Sequence, residues 1–265
     1  MTQPRSAPVV MIFAGLDPTG GAGLQADIEA VASHGCHASP VATAIAVQNT
    51  HDVQRVIPLP GEMVAEQARA VLADVPVAAF KVGLLGSAEA AQAVLEVVRE
   101  HPSVPLVLDP ILRAGGGAPL ADARLVEALG ALFPVTTVLT PNAAEARALA
   151  PGAAGLDACG RALLQRGVEF VLITGADEEA AEVVNTLYGQ ARVLEHFAWQ
   201  RLEGRYHGSG CTLASSIAGL LAQGNDPFSA ILEAQEYTWE ALRNGYRIGA
   251  GQWIPNRLFW ARGDD

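Results

Sequence analysis

A glycine-rich stretch near the C-terminus, residues 208–211 (Gly-Ser-Gly-Cys), stands immediately before an apolar segment with helical spacing. The first backbone N–H groups of a helix have no partner within the helix, and the helix dipole adds partial positive charge there. Such a loop can hold an anion, and a phosphoryl group in transfer is a natural occupant. The same position should lower the pKa of the Cys211 thiol below about 8.5, so that a thiolate accepts a proton or acts as a nucleophile. A small buried residue at a helix start is the alternative for this cysteine.

Two groups of oxygen-bearing side chains follow other short apolar runs. Asp109 ends one run, where its carboxylate could help to place a metal ion or could serve the structure alone. Asn142 and Glu145 stand three residues apart at the start of a helical segment, on one face of its first turn. They could hold water bound to Mg²⁺ near phosphates, because Mg²⁺ prefers oxygen ligands. The alternative is a capping box that joins each side chain to the other's backbone, and the residues alone favour it.

A second glycine-rich loop, residues 14–27 ("AGLDPTGGAGLQAD"), lies between a predicted strand and a predicted helix. Glycines leave backbone N–H groups accessible and let a ligand approach closely, although an ordinary strand-to-helix turn would also contain them. The loop lacks the GK[ST] ending of a P-loop and the GxGxxG spacing of a dinucleotide-binding motif. On its own it leaves both interpretations open.

Strand-like and helix-like segments alternate along the chain, which predicts an α/β fold with a mostly parallel central sheet and helices on both faces. We expect one domain over residues 1–265, because no linker, repeat or low-complexity segment interrupts the pattern. Ser87 is the predicted N-cap of one helix. Ligands of open α/β sheets bind beyond the carboxyl ends of the strands. The predicted strands are 8–15, 39–50, 78–85, 104–110, 136–142 and 170–176, and the predicted helices are 23–35, 61–75, 87–101 and one or two over 226–249.

The bulk composition limits the classes of function. The 265 residues carry a net charge of -11, which argues against a nucleic-acid surface or attachment to anionic lipid but permits a local positive pocket. Lys81 is the only lysine, so any other fixed cation must be an arginine. Three scattered cysteines fit a reducing compartment, and the N-terminal apolar run is too short for a membrane span or a signal peptide. We therefore expect a cytoplasmic protein.

Seven stretches, taken together and in this order, resemble the ribokinase-like superfamily. Within it they are most similar to the hydroxymethylpyrimidine/phosphomethylpyrimidine kinases of thiamine biosynthesis. The resemblance spans nearly the whole chain, and the combination is specific although each stretch is weak alone. The stretches are "AGLDPTGGAGLQADI", "ATAIAVQNT", "KVGLL", "VLDP", "LTPNAAEA", "GSGCTLASSIA" and "GAGQWIPNRLF".

This resemblance implies a three-layer α/β/α fold and an ATP-dependent kinase that uses Mg²⁺. Cys211 then stands where the superfamily commonly has an aspartate base, and Gln48 offers an amide donor and acceptor to the pyrimidine. Asp109 and, through water, Glu145 are implied on the metal side. A homodimer with a small-molecule pyrimidine substrate, and neither nucleic acid nor membrane as a partner, is also implied. The implied residues are Gly208, Ser209, Gly210 and Cys211 for catalysis; Gly15, Asp27, Gln48, Leu84 and Ile111 for the pyrimidine; and Arg113, Asn142, Glu145, Thr174 and Gly175 for ATP.

The chain also departs from the family's pattern. Many relatives have "AKSG" where this chain has residues 114–117 (Ala-Gly-Gly-Gly), and "KGGH" where it has residues 174–177 (Thr-Gly-Ala-Asp). Arg113 and Arg205 are the candidates to replace the charge of the two missing lysines, and Leu84 replaces a methionine of similar volume. A vitamin B6 kinase on the same fold and a catalytically silent pyrimidine-binding protein are the alternative functions.

Overall fold

The computed structural model describes residues 7–113, 117, 120–176, 178 and 180–261, and the strands of this part form a single sheet. The strands are β1 (Val9–Leu16), β2 (His37–Gln48), β3 (Val53–Pro58), β4 (Ala79–Val82), β5 (Leu106–Leu108), β6 (Val138–Leu139), β7 (Phe170–Ile173), β8 (Glu182–Gly189) and β9 (Arg192–Gln200). Their spatial order is β3-β2-β1-β4-β5-β6-β7-β8-β9. The six central strands are parallel, while β3 at one edge and β8 and β9 at the other are antiparallel.

Helices cover both faces of the sheet, and each face has its own apolar core. The helices are α1 (Gly23–Ser33), α2 (Gly61–Leu72), α3 (Ala88–Arg99), α4 (Ala123–Gly130), α5 (Ala143–Leu149), α6 (Leu156–Gln165), α7 (Ser209–Ala222) and α8 (Pro227–Arg243). Alternate residues of β1 point to opposite faces: Met11 and Phe13 pack with α2 to α6, and Val10 and Ile12 pack with α1, α7 and α8. The expected three-layer α/β/α architecture is therefore confirmed.

The predicted strands and helices of the parallel part of the sheet agree with the structure, whereas the antiparallel strands were not predicted. Ser87 is the N-cap of α3, since its hydroxyl accepts a hydrogen bond from the Ala90 backbone N–H at 3.1 Å. Strands β3, β8 and β9 were not predicted from the sequence. The turn between β8 and β9 consists of Gln190 and Ala191, which both have positive φ (53° and 60°). Two-residue hairpin turns of this kind usually contain Asn or Gly, so the sequence carried no turn signal.

The polar ends of the parallel strands meet on one edge of the sheet, as this topology requires. Gln48 ends β2, Asp109 follows β5, and Asn142 follows β6 and forms a bridge with Thr174 after β7. No helix in the described residues has the length and apolar character needed to cross a bilayer. The sheet therefore delivers most of the predicted site residues to one place.

Candidate active site

A cavity of about 830 Å³ opens at the carboxyl ends of the parallel strands and the start of α7. Its walls contain nearly all residues that the sequence analysis assigned to a site. Those on the walls are Gly15, Gln48, Leu84, Asp109, Ile111, Arg113, Asn142, Glu145, Thr174, Gly208, Ser209, Gly210 and Cys211. Two assigned residues, Asp27 and Gly175, do not line it.

The predicted anion loop is present at the N-terminus of α7. Gly208 is the N-cap and adopts a left-handed backbone conformation with φ of 85°. A side chain at this position would clash with the backbone oxygen of Gly21, so the position requires glycine. Its carbonyl accepts hydrogen bonds from the Thr212 backbone N–H at 2.9 Å and the Thr212 hydroxyl at 2.8 Å. The first N–H groups of α7 therefore lie on the cavity wall at the positive end of a 14-residue helix.

A buried arginine ties this loop to the glycine-rich loop after β1, and the sequence analysis gave it no role. Arg257 is fully buried and donates to the Gly21 carbonyl, to the Thr212 hydroxyl at 2.9 Å and to the Glu29 carboxylate at 3.1 Å. The only sequence signal was its place in the family-like C-terminal stretch "WIPNRLF". The guanidinium fixes the distance between the two loops and brings positive charge behind the anion loop.

Asp27 lies beneath the cavity and is not on its wall, which corrects the expectation from the resemblance. Its carboxylate is fully buried and accepts hydrogen bonds from Lys81 Nζ at 2.8 Å and from the Ser215 hydroxyl at 2.7 Å. It shares the buried face of α1 with Leu24 and Val31, at the i, i+3, i+7 spacing that faces a core. The only lysine of the chain is thus committed to an internal ion pair.

The expectation of a lowered thiol pKa at Cys211 is wrong. Burial raises the pKa of Cys211 to about 12, against the opposing charge of Lys81 and a hydrogen bond from the Gly23 backbone N–H. Only 5% of the residue is exposed, because α7 buries it under the loop after β1. At Cys211 the desolvation that the rest of the fold imposes outweighs the favourable field of the helix N-terminus.

Asp109 is the second buried acid at the cavity. Burial raises its pKa to about 6, with Lys81 opposing the shift. Its Oδ2 atom is buried and has no hydrogen-bond partner within the described residues. A carboxylate oxygen left in this condition fits a cation that approaches from the cavity. Within the same residues no three His, Cys, Asp or Glu side chains cluster as metal ligands, so such an ion would take most of its ligands from water and phosphate.

Asn142 and Glu145 form the capping box that the residues alone favoured. The Glu145 backbone N–H donates to Asn142 Oδ1 at 2.8 Å, and the Asn142 backbone N–H donates to Glu145 Oε2 at 3.0 Å. The Leu112 backbone N–H donates to Glu145 Oε1 at 3.2 Å, which ties the loop after β5 to α5. The box holds both side chains on the cavity wall, and contact of Glu145 with metal-bound water stays a prediction.

The loop after β7 is held by hydrogen bonds to neighbouring side chains of the cavity wall. The Gly175 backbone N–H donates to Asn185 Oδ1 at 3.0 Å, so this N–H is already paired within the protein. Arg201 donates to the carbonyls of Ala176 and Glu178 at 3.0 and 2.7 Å. Arg113, Arg201 and Arg205 all line the cavity and supply its positive charge in place of lysine. Residues 114–116 and Asp177, which belong to the two departures from the family's pattern, lie outside the described residues.

A hydrogen-bond network joins Asp17, His207 and Gln48 at the end of the cavity next to β2. The Asp17 carboxylate accepts from the Thr19 and Ala22 backbone N–H groups, each at 2.8 Å, and lies 2.9 Å from His207 Nε2. Burial would raise its pKa, but hydrogen bonds from His207, Gln48 and Thr19 outweigh burial and hold it well below its usual range. Asp17 was visible in the sequence as a polar residue after a strand, but its partners were not.

The fold and the site together define a kinase of the ribokinase-like class: an α/β/α sandwich with an anion loop, a buried thiol and a buried carboxylate in one cavity. A family model described as phosphomethylpyrimidine kinase matches residues 17–256. The chain belongs to this family.

Relatives and solved structures agree with this assignment. The hydroxymethylpyrimidine/phosphomethylpyrimidine kinase of Mycobacterium bovis is 37% identical over 266 residues, which cover 98% of this chain and 95% of that protein. The thiamine biosynthesis bifunctional protein ThiED of Geobacter sulfurreducens is 36% identical over 258 residues, and the match spans 95% of this chain but about half (52%) of that protein. A phosphomethylpyrimidine kinase structure from Clostridium difficile has a TM-score of 0.76 at 30% identity, covering 89% of this chain and all of that one. Staphylococcus aureus pyridoxal kinase, solved with pyridoxal, has a TM-score of 0.87 at 25% identity, covering 97% and 96% of the two chains.

Proposed function

We propose that the protein transfers the γ-phosphoryl group of ATP to 4-amino-5-hydroxymethyl-2-methylpyrimidine and then to its monophosphate, as a step of thiamine biosynthesis. One observation carries the proposal: Gln48 and Cys211 face a single cavity whose wall also contains the anion loop of α7. Membership of the phosphomethylpyrimidine kinase family supports the choice of substrate.

The pyrimidine end of the site lies between Gln48 and Leu84. The Gln48 amide carries a donor and an acceptor, which match a ring nitrogen beside an exocyclic amine. Leu84 and Ile111 supply apolar wall for the ring, and Gly15 lets the backbone come close to it. This arrangement directs the hydroxymethyl group of the substrate toward the anion loop.

The phosphoryl end of the site combines the anion loop with the Cys211 thiol. The N–H groups at the start of α7 neutralise the charge that develops on the phosphoryl oxygens during transfer. The Cys211 thiolate accepts the proton of the substrate hydroxyl and becomes a thiol as the oxygen attacks phosphorus. Because burial raises the pKa of the thiol to about 12, we infer that the thiol first gives its proton to solvent and that the small thiolate fraction is the active form.

The cation of the reaction fits beside Asp109. Bound Mg²⁺ supplies charge neutralisation between the phosphate groups of ATP. Asp109, with its unpartnered Oδ2, and Glu145, through water, are the side chains that would hold it. Arg113, Arg201 and Arg205 line the same cavity and are its candidates to offer positive charge to the phosphates.

The proposed oligomeric state and cellular location rest on the resemblance to the kinase family. We propose a homodimer that acts in the cytoplasm on a small-molecule substrate, with neither nucleic acid nor membrane as a partner. Light scattering of the purified protein tests the first part, because a monomeric mass at micromolar concentration would contradict it.

Vitamin B6 phosphorylation is the second candidate function, because a pyridoxal kinase is among the most similar solved structures at a TM-score of 0.87. A coupled ATP assay with the hydroxymethylpyrimidine and pyridoxal side by side separates the two. We expect a higher kcat/KM for the pyrimidine. Turnover of pyridoxal alone would refute the proposed function, and binding of the pyrimidine without ATP turnover would indicate a catalytically silent protein.

Replacement of Gln48 by alanine should raise the KM for the pyrimidine roughly ten- to hundredfold, since one amide pair to the ring is lost. The kcat should change much less, because Gln48 does not touch the transferring group. Steady-state kinetics with the pyrimidine varied at saturating ATP measure both values. Asn49→Ala, at the exposed neighbouring position, is the matched control. An unchanged KM in Gln48→Ala would place the pyrimidine elsewhere in the cavity.

A further inference from the structure

The carboxylate of Asp17 sits at the centre of a network that reaches the pyrimidine end of the cavity. It accepts hydrogen bonds from two backbone N–H groups and from the Thr19 hydroxyl, which lies 2.8 Å from Oδ1 and 2.9 Å from Oδ2. With all these donors directed at it, Asp17 acts as an acceptor only. Its low pKa is consistent with a permanently ionised carboxylate.

The imidazole of His207 completes the network. His207 Nε2 lies 2.9 Å from Asp17 Oδ2, so Nε2 must carry the proton and donate it to the carboxylate. A ring nitrogen that donates in this way has no lone pair left to accept a second hydrogen bond. Gln48 Nε2 lies 3.5 Å from the same ring nitrogen, and Gln48 also hydrogen-bonds the Asp17 carboxylate.

Only the NH₂ group of the Gln48 amide can face an ionised carboxylate, because the amide oxygen would be repelled there. The amide oxygen therefore faces the cavity, and within the described residues it makes no hydrogen bond. One hydrogen of the NH₂ group is used by Asp17, and the second is available to a ring nitrogen. The cavity thus presents a fixed acceptor beside a donor.

We propose that Asp17 is a specificity-determining positioning residue, which fixes the orientation of the Gln48 amide and so selects a ring with an exocyclic amine over one with an oxo group at that place. The proposal rests on the proposed function. A 4-oxo pyrimidine has an acceptor oxygen outside the ring and an N–H within it, the reverse of the amino compound. Its exocyclic oxygen would face the Gln48 amide oxygen, so no hydrogen bond could form there. Rejection follows from leaving polar groups unpaired in the site.

Loss of the Asp17 carboxylate should allow the Gln48 amide to rotate. In Asp17→Ala the His207 Nε2–H loses its acceptor and can donate to the Gln48 oxygen instead, which turns the NH₂ group toward the cavity. The amino and oxo rings then bind with similar strength. A residue that merely supported the loop would weaken both substrates by the same factor.

The test compares kcat/KM for 4-amino-5-hydroxymethyl-2-methylpyrimidine with that for 5-hydroxymethyl-2-methylpyrimidin-4-one. We expect the wild-type protein to favour the amino compound strongly, and Asp17→Ala to lower this ratio by roughly tenfold or more. In the Gln48→Ala background the same replacement should leave the ratio unchanged, because Asp17 acts through the amide. Asp226→Ala is the matched control, since Asp226 caps α8 by accepting two backbone N–H groups away from the cavity.

The outcomes separate this proposal from the proposed function. A wild-type protein that phosphorylates neither pyrimidine refutes both. A wild-type protein that prefers the amino compound, together with an Asp17→Ala variant of unchanged ratio, refutes only the role of Asp17. If Asp17→Ala does not fold, Asp17→Asn decides: this variant keeps the size of the side chain but removes the charge that holds the Gln48 NH₂ group, so a lowered amino preference supports the proposal. An unchanged preference in Asp17→Asn would overturn it.

Discussion

Replacement of Cys211 by alanine should lower kcat by roughly 10²–10⁴-fold, the usual contribution of a positioned proton acceptor. The KM for the pyrimidine should hardly change, because the ring is held at the Gln48 end of the cavity. The anion loop keeps its backbone N–H groups in the variant, so a residual rate above the uncatalysed reaction is expected. Steady-state and single-turnover kinetics with both substrates measure these effects.

Two further variants show whether the loss comes from the base. Cys211→Ser keeps the size of the side chain but replaces the thiol by a much weaker acid, so it should be nearly as slow as the alanine variant. Cys36→Ala removes another buried thiol, which lies against the Gly219 carbonyl away from the cavity, and should keep the wild-type kcat. A Cys211→Ala variant with wild-type kcat would exclude the thiol as the proton acceptor.

The pH dependence of the wild-type enzyme follows from the raised thiol pKa. The thiol of the free protein is protonated below about pH 12, and its thiolate fraction rises tenfold per pH unit beneath that value. Asp109, with a pKa of about 6, is already ionised in the range above neutrality. We therefore expect kcat/KM to climb between about pH 7 and pH 9 without a plateau, and to be flat in Cys211→Ala. A wild-type plateau beginning at neutral pH would show that the thiolate is already formed.

The sequence was sufficient for the parallel part of the fold and for the location of the site. Buried parallel strands are short apolar runs, and their carboxyl ends collect the ligand-binding residues, so Gln48, Asp109 and Asn142 could be placed together. The β8–β9 hairpin could not be foreseen, because Gln190 and Ala191 occupy its turn where glycine or asparagine is usual.

The orientation and environment of individual side chains could not be predicted from the sequence. Asp27 follows the apolar spacing of α1 into the core, where the pairing with Lys81 and a hydrogen bond from Ser215 make a carboxylate tolerable. The pKa of Cys211 depends on burial by segments distant in sequence. The contacts of Arg257 with Gly21 and Thr212 join residues 236 and 45 positions apart, which no local pattern encodes.

Replacement of Lys81 by methionine should lower the free energy of unfolding by about 3–5 kcal/mol, the usual cost of leaving a buried charge without its partner. Lys81 Nζ lies 2.8 Å from Asp27 Oδ1, and both side chains are fully buried. Burial alone would lower the pKa of Lys81, but the charges of Asp27, Cys211 and Asp109 raise it above its usual value, so the lysine is ionised in the folded protein. Urea denaturation followed by circular dichroism measures the loss, and Arg124→Met, which breaks an exposed pair with Glu89, should leave stability almost unchanged.

The double variant Lys81→Met/Asp27→Leu separates the contribution of the ion pair to stability from its contribution to kcat. Apolar side chains of similar size remove both buried charges together, so most of the lost stability should return. The kcat should stay below the wild-type value, because Lys81 lowers the pKa of Cys211 more than Asp27 raises it, so the loss of both charges still raises that pKa. A stable double variant with wild-type kcat would show that Lys81 serves only the core. A single variant as stable as the wild type would mean that the buried Asp27 carboxylate takes up a proton when its partner is removed, since an unpaired charge cannot be held there without cost.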